Sequence, residues 1–425
     1  MHTALITIFA ITYAAVALEH PFKINKSGSA LVGAGLLWTI YALSVGDARL
    51  VGEQLGESLK GTAQIVFFLM GAMTIVEVVD AHNGFDIITT RIKTARLSVL
   101  MCLVACVTFF LSAVLDNLTT TIVMISLCRK LLARHDDRLF FAGMIVIAAN
   151  AGGAWSPIGD VTTTMLWIGG QITSLAIVKA ALLPSLVSML VPLGIVAYGL
   201  RGQAAPRRVK TAGEPPTSAL ERHLMFFLGV GILLAVPVFK TVTHLPPFVG
   251  ILFGLGILWV VGDLVHRSKD EPTREPLTLV HAMHKIDMGS LVFFIGILLS
   301  VATLEHSHIL SALAQWLEQT VGRQDVIVML IGMASAVVDN VPMVAASMGM
   351  YSLTQYPPDH FVWGFLAYCA GTGGSILIIG SAAGVAAMGL EKMHFFWYIK
   401  KISGLALVGY LTGAGVYLVQ YPLLH

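Results

Sequence analysis

One pair of residues, an aspartate followed by an asparagine, interrupts an apolar segment in each half of this chain. The first copy is Asp116-Asn117, within Ser-Ala-Val-Leu-Asp-Asn-Leu-Thr, and the second is Asp339-Asn340, within Ser-Ala-Val-Val-Asp-Asn-Val-Pro. A carboxylate at the centre of a bilayer costs about 2.5–3.5 kcal/mol on insertion scales, so such a residue is rare and usually functional. The duplication therefore predicts one binding device that is present twice in a membrane protein.

The composition agrees with a chain that crosses a membrane many times. Of its 425 residues, 56% are hydrophobic and only 12% are charged. A bilayer-spanning helix needs about 20 apolar residues, and apolar segments of this order recur along nearly the whole chain. We predict membrane segments at residues 2–18, 28–45, 62–80, 98–133, 139–168, 173–200, 222–242, 246–265, 288–306, 325–355, 360–390 and 395–422.

The two halves of the chain repeat each other. Gly152-Gly153 corresponds to Gly373-Gly374 with a shift of 221 residues, and the two Asp-Asn pairs are 223 residues apart. Such repeats are common in secondary transporters. We predict a first repeat at 1–200, a cytoplasmic linker at 201–221 and a second repeat at 222–425. Within these, residues 1–96 and 221–305 are expected to form a scaffold, and residues 97–200 and 325–425 a transport part.

The distribution of basic residues predicts the orientation of the segments. If 98–133 and 325–355 are re-entrant hairpins, 21 Lys and Arg residues lie on one face and five on the other, which fits the positive-inside rule. Two complete crossings would instead distribute the basic loops over both faces. The predicted fold class is an all-α polytopic membrane protein with an inverted repeat, each half having five spanning helices (one broken) and one re-entrant hairpin. Both termini are expected to be periplasmic.

Two further segments are interrupted by polar residues, glycine and proline. The first contains Asn150, Asp160, Thr162 and Thr163, and the second, residues 371–381, contains hydroxyls and glycines without an acid. Irregular backbone at membrane depth is tolerated only where protein or water covers it. Amide, hydroxyl and carboxylate oxygens suit a hard cation. We therefore expect a cation site with two unequal halves, although aspartate and asparagine are also good helix caps.

Several other residues have more ordinary interpretations. Glu77 and His82, and Glu305 and His308, lie near helix ends, where they are interfacial residues or proton-carrying and pH-sensing groups. The four cysteines lack metal-ligand spacing and are expected to be small buried residues. Residues 1–18 lack a basic start and a cleavage motif, so we expect a first helix rather than a signal peptide.

The interrupted segments resemble the NhaD-type sodium/proton antiporters of the ion transporter superfamily. The resemblance covers residues 60–400, and Asn-Ala-Gly-Gly-Ala-Trp-Ser-Pro-Ile-Gly-Asp-Val-Thr-Thr is its most specific motif. It implies electrochemically driven exchange of Na+ or Li+ for H+, with elevator-like movement of a homodimer. The ion-binding candidates that carry over by motif are Asp116, Asn117, Asn150, Asp160, Thr162, Thr163, Asp339 and Asn340, followed by Ser112, Ser335 and Ser375.

We therefore expect an antiporter of the bacterial inner membrane rather than an enzyme. Its Na+ would bind at Asp116, Asn150, Asp160, Thr163 and Asp339, where burial raises a carboxyl pKa and a bound cation lowers it. We expect no cofactor and no nucleic-acid partner. The alternatives are an arsenite or carboxylate carrier, which the hairpin acids disfavour, and a passive channel. An intramembrane enzyme is disfavoured because neither His-Glu-x-x-His nor Gly-x-Ser-x-Gly is present.

Overall fold

A computed structural model describes residues 1–17, 19, 24–89, 94, 96–204, 217–337 and 339–424. Over these residues the regular secondary structure is helical, apart from one isolated bridge between Arg96 and Ala204. Seven of the described helices are long and apolar enough to cross a membrane. The expected all-helical, polytopic membrane protein is thus confirmed, whereas most of the predicted linker, residues 205–216, lies outside the described residues.

The described α-helices are numbered in chain order. They are α1 (His2–Ala17), α2 (Lys26–Val45), α3 (Ala48–Ala81), α4 (Asp86–Thr89), α5 (Leu97–Ser112), α6 (Asn117–Leu131), α7 (His135–Ala154), α8 (Val161–Ile168), α9 (Ser174–Gly199), α10 (Ala219–Thr243), α11 (Pro247–His266), α12 (Glu271–Arg274), α13 (Leu279–Lys285), α14 (Met288–His306), α15 (Ile309–Val321), α16 (Gln324–Ala334), α17 (Asn340–Met350), α18 (Phe361–Gly373), α19 (Ala382–Glu391), α20 (Phe395–Tyr398) and α21 (Gly404–Leu424). Every predicted apolar segment overlaps at least one of them.

Each predicted break separates two helices, and a polar residue stands where the second helix begins. Asp116 precedes α6, Asp160 precedes α8, Asp339 precedes α17 and Ser381 precedes α19. Their side chains accept hydrogen bonds from backbone N–H groups of the first turn, which have no partner within the helix. The distances are 2.8 Å from Thr119, 3.0 Å from Thr162, 3.5 Å from Val341 and 3.2 Å from Gly384.

Helix α3 is much longer than the predicted segment 62–80. It begins at Ala48 because the Asp47 carboxylate accepts hydrogen bonds from the N–H groups of Arg49 and Leu50, at 3.0 and 3.1 Å. No proline interrupts the helix between this cap and the apolar run, so the helix continues through a mostly exposed, polar stretch. The hydropathy pattern located the membrane-spanning part but not the polar extension.

The two halves use the same close backbone contacts around their breaks. A Cβ atom on Gly152 would lie 2.2 Å from the carbonyl oxygen of Phe109, and one on Gly373 would lie 2.0 Å from that of Gly332. Only glycine allows α7 to approach α5, and α18 to approach α16, this closely. The repetition seen in the sequence therefore extends to matching contacts in the structure.

The helices pack mainly within two groups. In the first group, α2 packs on α1 and α14, while α11 packs on α10 and α3. In the second group, α7 packs on α5 and α6, α18 packs on α16, and α9 packs along α21. Fewer contacts join the groups, chiefly between α14 and α17, through α15, which packs on both of these helices, and between α3 and α8. All four breaks belong to the second group.

Candidate ion-binding site

Three of the predicted residues form one buried hydrogen-bonded cluster. The Asn117 amide Nδ2 donates to Asn150 Oδ1 at 3.0 Å and to Asp160 Oδ2 at 2.9 Å. Asn117, Asn150 and Asp160 are all less than 5% exposed. The tip between α5 and α6 therefore meets the break between α7 and α8.

The second break joins the same cluster. Asn150 Nδ2 donates to Ser375 Oγ and to Ser381 Oγ, both at 2.9 Å. Ser375 was a predicted site residue, but Ser381 was not. Its signal was present in the sequence, since Ser381 stands 221 residues after Asp160 and both residues cap the helix that follows a break. The two breaks, predicted to be unequal halves, thus form one continuous polar centre.

Asp160 is the charged member of this cluster. Its second oxygen, Oδ1, accepts hydrogen bonds from the Thr162 N–H at 3.0 Å and from Thr162 Oγ1 at 2.9 Å. The predicted residue Thr162 therefore acts through Asp160. Asp116 and Asp339 are close enough to act electrostatically on this carboxyl. A charge on Asp160 is therefore costly inside this apolar protein unless it is compensated.

Asp116 lies beside this cluster. In the described structure its side chain forms no hydrogen bond with Asp160 or Asn150. It accepts hydrogen bonds from the Thr119 N–H at 2.8 Å and from Thr119 Oγ1 at 2.6 Å. It also lines a cavity of about 50 Å³ between the α5–α6 tip and α3, together with Asn117, Phe68 and Val76. Such a volume can hold one or two water molecules.

Asp339 forms an ion pair that the sequence analysis did not predict. Lys26 Nζ lies 3.2 Å from Asp339 Oδ2. In the sequence, Lys26 was one basic residue of a short loop between two apolar segments, and no local pattern linked it to a residue 313 positions away. Asn340, which follows Asp339, is buried at the start of α17.

The hydroxyl groups near the breaks fall into two kinds. Ser112 Oγ donates to the Ala149 carbonyl at 2.6 Å, and Ser335 Oγ to the Gly332 and Ala370 carbonyls at 2.7 and 3.2 Å, so both hold backbone segments together. The Thr163 hydroxyl, in contrast, is buried and has no partner among the described atoms. The hydroxyls of Thr120 and Thr121 are likewise buried without a partner among the described atoms. These two residues lie on the same face of α6 as Asn117 and were not predicted as site residues.

In the described structure, the candidate proton carriers form no hydrogen bond with the Asn117–Asn150–Asp160 cluster. His82 Nδ1 donates to the Val78 carbonyl at 2.6 Å, and His82 Nε2 lies 2.8 Å from His266 Nε2. Burial lowers the pKa of His82, which favours its neutral form. Glu305 and His308 line a polar cavity of about 540 Å³ beside α15 and α17. Glu77 is half-buried near the end of α3.

The arrangement collects oxygen atoms around one amide nitrogen. Asn117 Nδ2 lies between Asn150 Oδ1 and Asp160 Oδ2, which is how a small cation would lie between two oxygen ligands. The hydroxyls of Ser375 and Ser381 are linked to this arrangement through Asn150, whose Nδ2 donates a hydrogen bond to each. A hard, monovalent cation suits such a set, because its donors are oxygens and Asp160 supplies a negative charge.

Known proteins are similar in sequence to this chain over nearly its whole length. A family model described as a citrate transporter matches residues 6–371. Sodium/proton antiporter 1 of Arabidopsis thaliana is 47% identical over 420 residues, which cover 99% of this chain and 73% of the relative. The Na(+)/H(+) antiporter NhaD of Vibrio cholerae is 29% identical, covering 98% of this chain and 91% of the relative. The chain belongs to the NhaD-type sodium/proton antiporter family.

A solved structure shows that the NhaD-type chain shares its fold with a distant transporter. The YdaH transporter of Alcanivorax borkumensis matches 89% of this chain and 90% of its own chain, with a TM-score of 0.56 and 14% identity. That transporter is described as having an unusual topology. This likeness concerns the fold alone. The predicted superfamily is thus confirmed by sequence, and the polytopic helical fold by structure.

Proposed function

We propose that this chain is a secondary antiporter that exchanges Na+ or Li+ for H+ across a membrane. The observation that carries the proposal is the buried cluster in which the Asn117 amide joins Asn150 to the Asp160 carboxylate. It provides a titratable charge together with uncharged oxygen ligands, which exchange requires. The printed names of the relatives, sodium/proton antiporters in a plant and in bacteria, support the same activity.

The proposed cation site contains more oxygens than the cluster alone. We place Na+ among Asp160, Asn150 and Thr163, with Asp116 and Asp339 contributing charge from the two tips. Rotation of the Asn117 amide by half a turn would replace its donor nitrogen with its oxygen and free two ligands for the ion. Secondary roles are assigned to Thr162, Asn340, Ser112, Ser335, Ser375 and Ser381, which orient these groups or hold the backbone.

Coupling follows from competition for the carboxylates. A proton neutralises an acid that the cation needs, and a bound cation favours the ionised form. Binding of the ion and of the proton therefore exclude each other at the same group. Glu77, His82, Glu305 and His308 remain candidate groups on the proton path, because each lies outside the cluster.

Contacts near the helix ends support the proposed orientation. The Glu391 carboxylate forms ion pairs with Arg129 Nε at 2.7 Å and with Arg138 Nε at 3.1 Å. Lys269 Nζ lies 2.8 Å from Glu221 Oε2. Each contact joins segments that the basic-residue distribution assigns to the cytoplasmic face. The proposal is an inverted repeat with two re-entrant hairpins, α5–α6 and α16–α17, and with both termini on the opposite face.

The proposed movement is an elevator-like displacement of the second helix group along the first. The sparser packing between the groups supports this division into a scaffold (1–96 and 221–305) and a transport part (97–200 and 325–425). A homodimer is proposed from the family resemblance. For a bacterial host the membrane would be the inner membrane. The relatives also include plant proteins, so the orientation is proposed relative to the basic face.

A carboxylate substrate is the second candidate, because the matching family model is described as a citrate transporter. In the described structure, no Lys or Arg side chain forms a hydrogen bond within the Asn117–Asn150–Asp160 cluster, whereas a polyanion requires positive donors. The Asp160 carboxylate would repel it. The geometry therefore favours a cation.

The direct test uses purified protein in proteoliposomes with an imposed pH gradient. Addition of Na+ or Li+ is expected to dissipate the gradient, as reported by a pH-sensitive dye, and addition of citrate is not. Protein-free vesicles provide the background. Citrate uptake without cation-evoked proton movement would overturn the proposal.

A further inference from the structure

A lysine of the first helix group reaches one of the candidate ion-binding acids. Lys26 is the first residue of α2, and its ammonium lies 3.2 Å from Asp339 Oδ2, at the tip between α16 and α17. The two side chains are 25% and 16% exposed. The ammonium also lies over the ring of Phe293, 4.6 Å from its centroid. This partly buried contact therefore joins the proposed scaffold to the proposed transport part.

The contact shows how far this tip extends along the first group. Helix α2 has 20 residues and α16 has 11, which correspond to lengths of about 30 Å and 16 Å. In the proposed orientation α2 begins at the cytoplasmic face, whereas α16 and α17 enter from the opposite face. A tip beside Lys26 thus lies deep, toward the cytoplasmic end of the scaffold.

Among the described residues, the first half of the chain shows no equivalent contact. Asp116, the counterpart of Asp339, lines the cavity beside Phe68 and Val76 in the middle of α3. The helix that corresponds to α2 in the order of segments is α11, and it begins with Pro247, which carries no charge. The lysine contact is therefore specific to one of the two tips.

We propose that Lys26 is a built-in counter-ion that competes with the transported cation for Asp339. This inference rests on the proposed function, because it assigns a partner to one of the proposed ion-binding carboxylates. While Lys26 is in place, Asp339 is neutralised without a metal ion and stays attached to α2. An entering cation replaces the ammonium at the carboxylate, and the tip is released from the scaffold. Lys26 remains charged throughout and acts as a positioning residue.

A purely structural ion pair would behave differently. Its loss would lower stability and leave the cation concentration for half-maximal activity unchanged. Loss of a competing counter-ion would leave Asp339 without its cation and would therefore tighten binding of Na+. The half-saturating Na+ concentration thus separates the two roles, whereas the maximal rate alone does not.

The experiment compares three variants in proteoliposomes at one fixed alkaline pH, at which exposed carboxylates are ionised. Lys26→Met is expected to lower the half-saturating Na+ concentration about fivefold, within the usual range of coupling between two ligands. Lys26→Arg keeps the charge and is expected to stay close to the wild type. Lys269→Met is the matched control, because it breaks another lysine–carboxylate pair, with Glu221, within the first group. Its half-saturating concentration should not change.

A second measurement requires no turnover. A cation that binds only the folded protein raises its melting temperature, so the Na+ concentration for half of that rise reports binding. It should fall in Lys26→Met, or in Lys26→Gln where the methionine variant does not fold. An unchanged or higher value in both assays would overturn the counter-ion role. Absence of Na+-evoked proton movement in the wild type would instead refute the proposed function itself.

Discussion

At the level of single residues, Asp160 combines two tasks. One carboxylate oxygen caps α8 through Thr162, and the other accepts the Asn117 amide in the buried cluster. Capping needs an acceptor but no charge, so an asparagine could perform it. The proposed exchange, in contrast, needs a group that gains and loses a proton. A substitution that removes the charge but keeps the cap separates these tasks.

Asp160→Asn is therefore expected to abolish exchange while the protein stays in the membrane. The variant keeps the size and the cap but supplies neither charge nor titration, and we expect at least about a tenfold loss of cation-evoked proton movement. Asp47→Asn is the matched control, since Asp47 caps α3 on an exposed stretch. Near-normal exchange in Asp160→Asn would reduce Asp160 to a structural cap.

Two neighbouring threonines test the role of an unpartnered hydroxyl. The Thr163 hydroxyl has no partner among the described atoms, whereas Thr164 Oγ1 donates to the Pro157 carbonyl at 3.1 Å. Thr163→Val is expected to raise the half-saturating Na+ concentration without lowering the melting temperature. Thr164→Val should instead destabilise the protein by about 1 kcal/mol, because it removes a hydrogen bond. Unchanged cation affinity in Thr163→Val would exclude this hydroxyl from the site.

At the level of elements, close helix packing positions the two breaks. Gly152→Ala would place a methyl group against the Phe109 carbonyl, so α7 would have to move away from α5. We expect a loss of about 1–3 kcal/mol in stability together with impaired exchange. Gly194→Ala in α9 is the control, since a Cβ there meets nothing within 4 Å. Equal melting temperatures for the two variants would contradict the tight-contact account.

The elements themselves were largely predictable from the sequence. Apolar length located the membrane segments, and the Asp-Asn pairs, Asp160 and Ser381 fall where helices begin, because these residue types satisfy free N–H groups. The polar start of α3 was missed, because hydropathy does not register a capped helix outside the apolar run. Helix α15, between two predicted segments, was missed because its 13 residues mix apolar and polar side chains and do not form a continuous apolar run.

The candidate site was predictable only in part. Asn117, Asn150, Asp160 and Ser375 were predicted, and the structure brings them together. The internal repeat made this prediction possible, because it linked both breaks to one binding site. The contact of Lys26 with Asp339 was not predictable, because it depends on how far one helix group lies along the other. No local pattern in a single sequence contains that distance.

At the level of the whole molecule, the orientation can be tested with exposed acids on opposite faces. Glu271 and Glu53 are both exposed, and the basic-residue distribution assigns Glu271 to the cytoplasmic face and Glu53 to the other. In a background without the four native cysteines, an impermeant thiol reagent added from the periplasmic side should label Glu53→Cys but not Glu271→Cys. The reverse pattern would overturn the proposed orientation and the position assigned to Lys26.

In the proposed mechanism, the cation and the proton compete for the same carboxylates. As the pH falls, each carboxylate binds a proton and loses the charge that attracts the cation, so apparent cation affinity must weaken. The expected change is up to about tenfold per pH unit below the pKa of the site for each proton displaced. A site of carbonyl and hydroxyl oxygens alone would show almost no such slope.

The decisive measurement is the half-saturating Na+ or Li+ concentration in proteoliposomes between about pH 6 and pH 9, with the pH gradient controlled. Competition predicts a half-saturating cation concentration that rises steadily as the pH is lowered. A flat line with exchange still active would contradict competition at Asp116, Asp160 and Asp339. Proton transfer would then belong to separate groups such as Glu77, His82, Glu305 or His308.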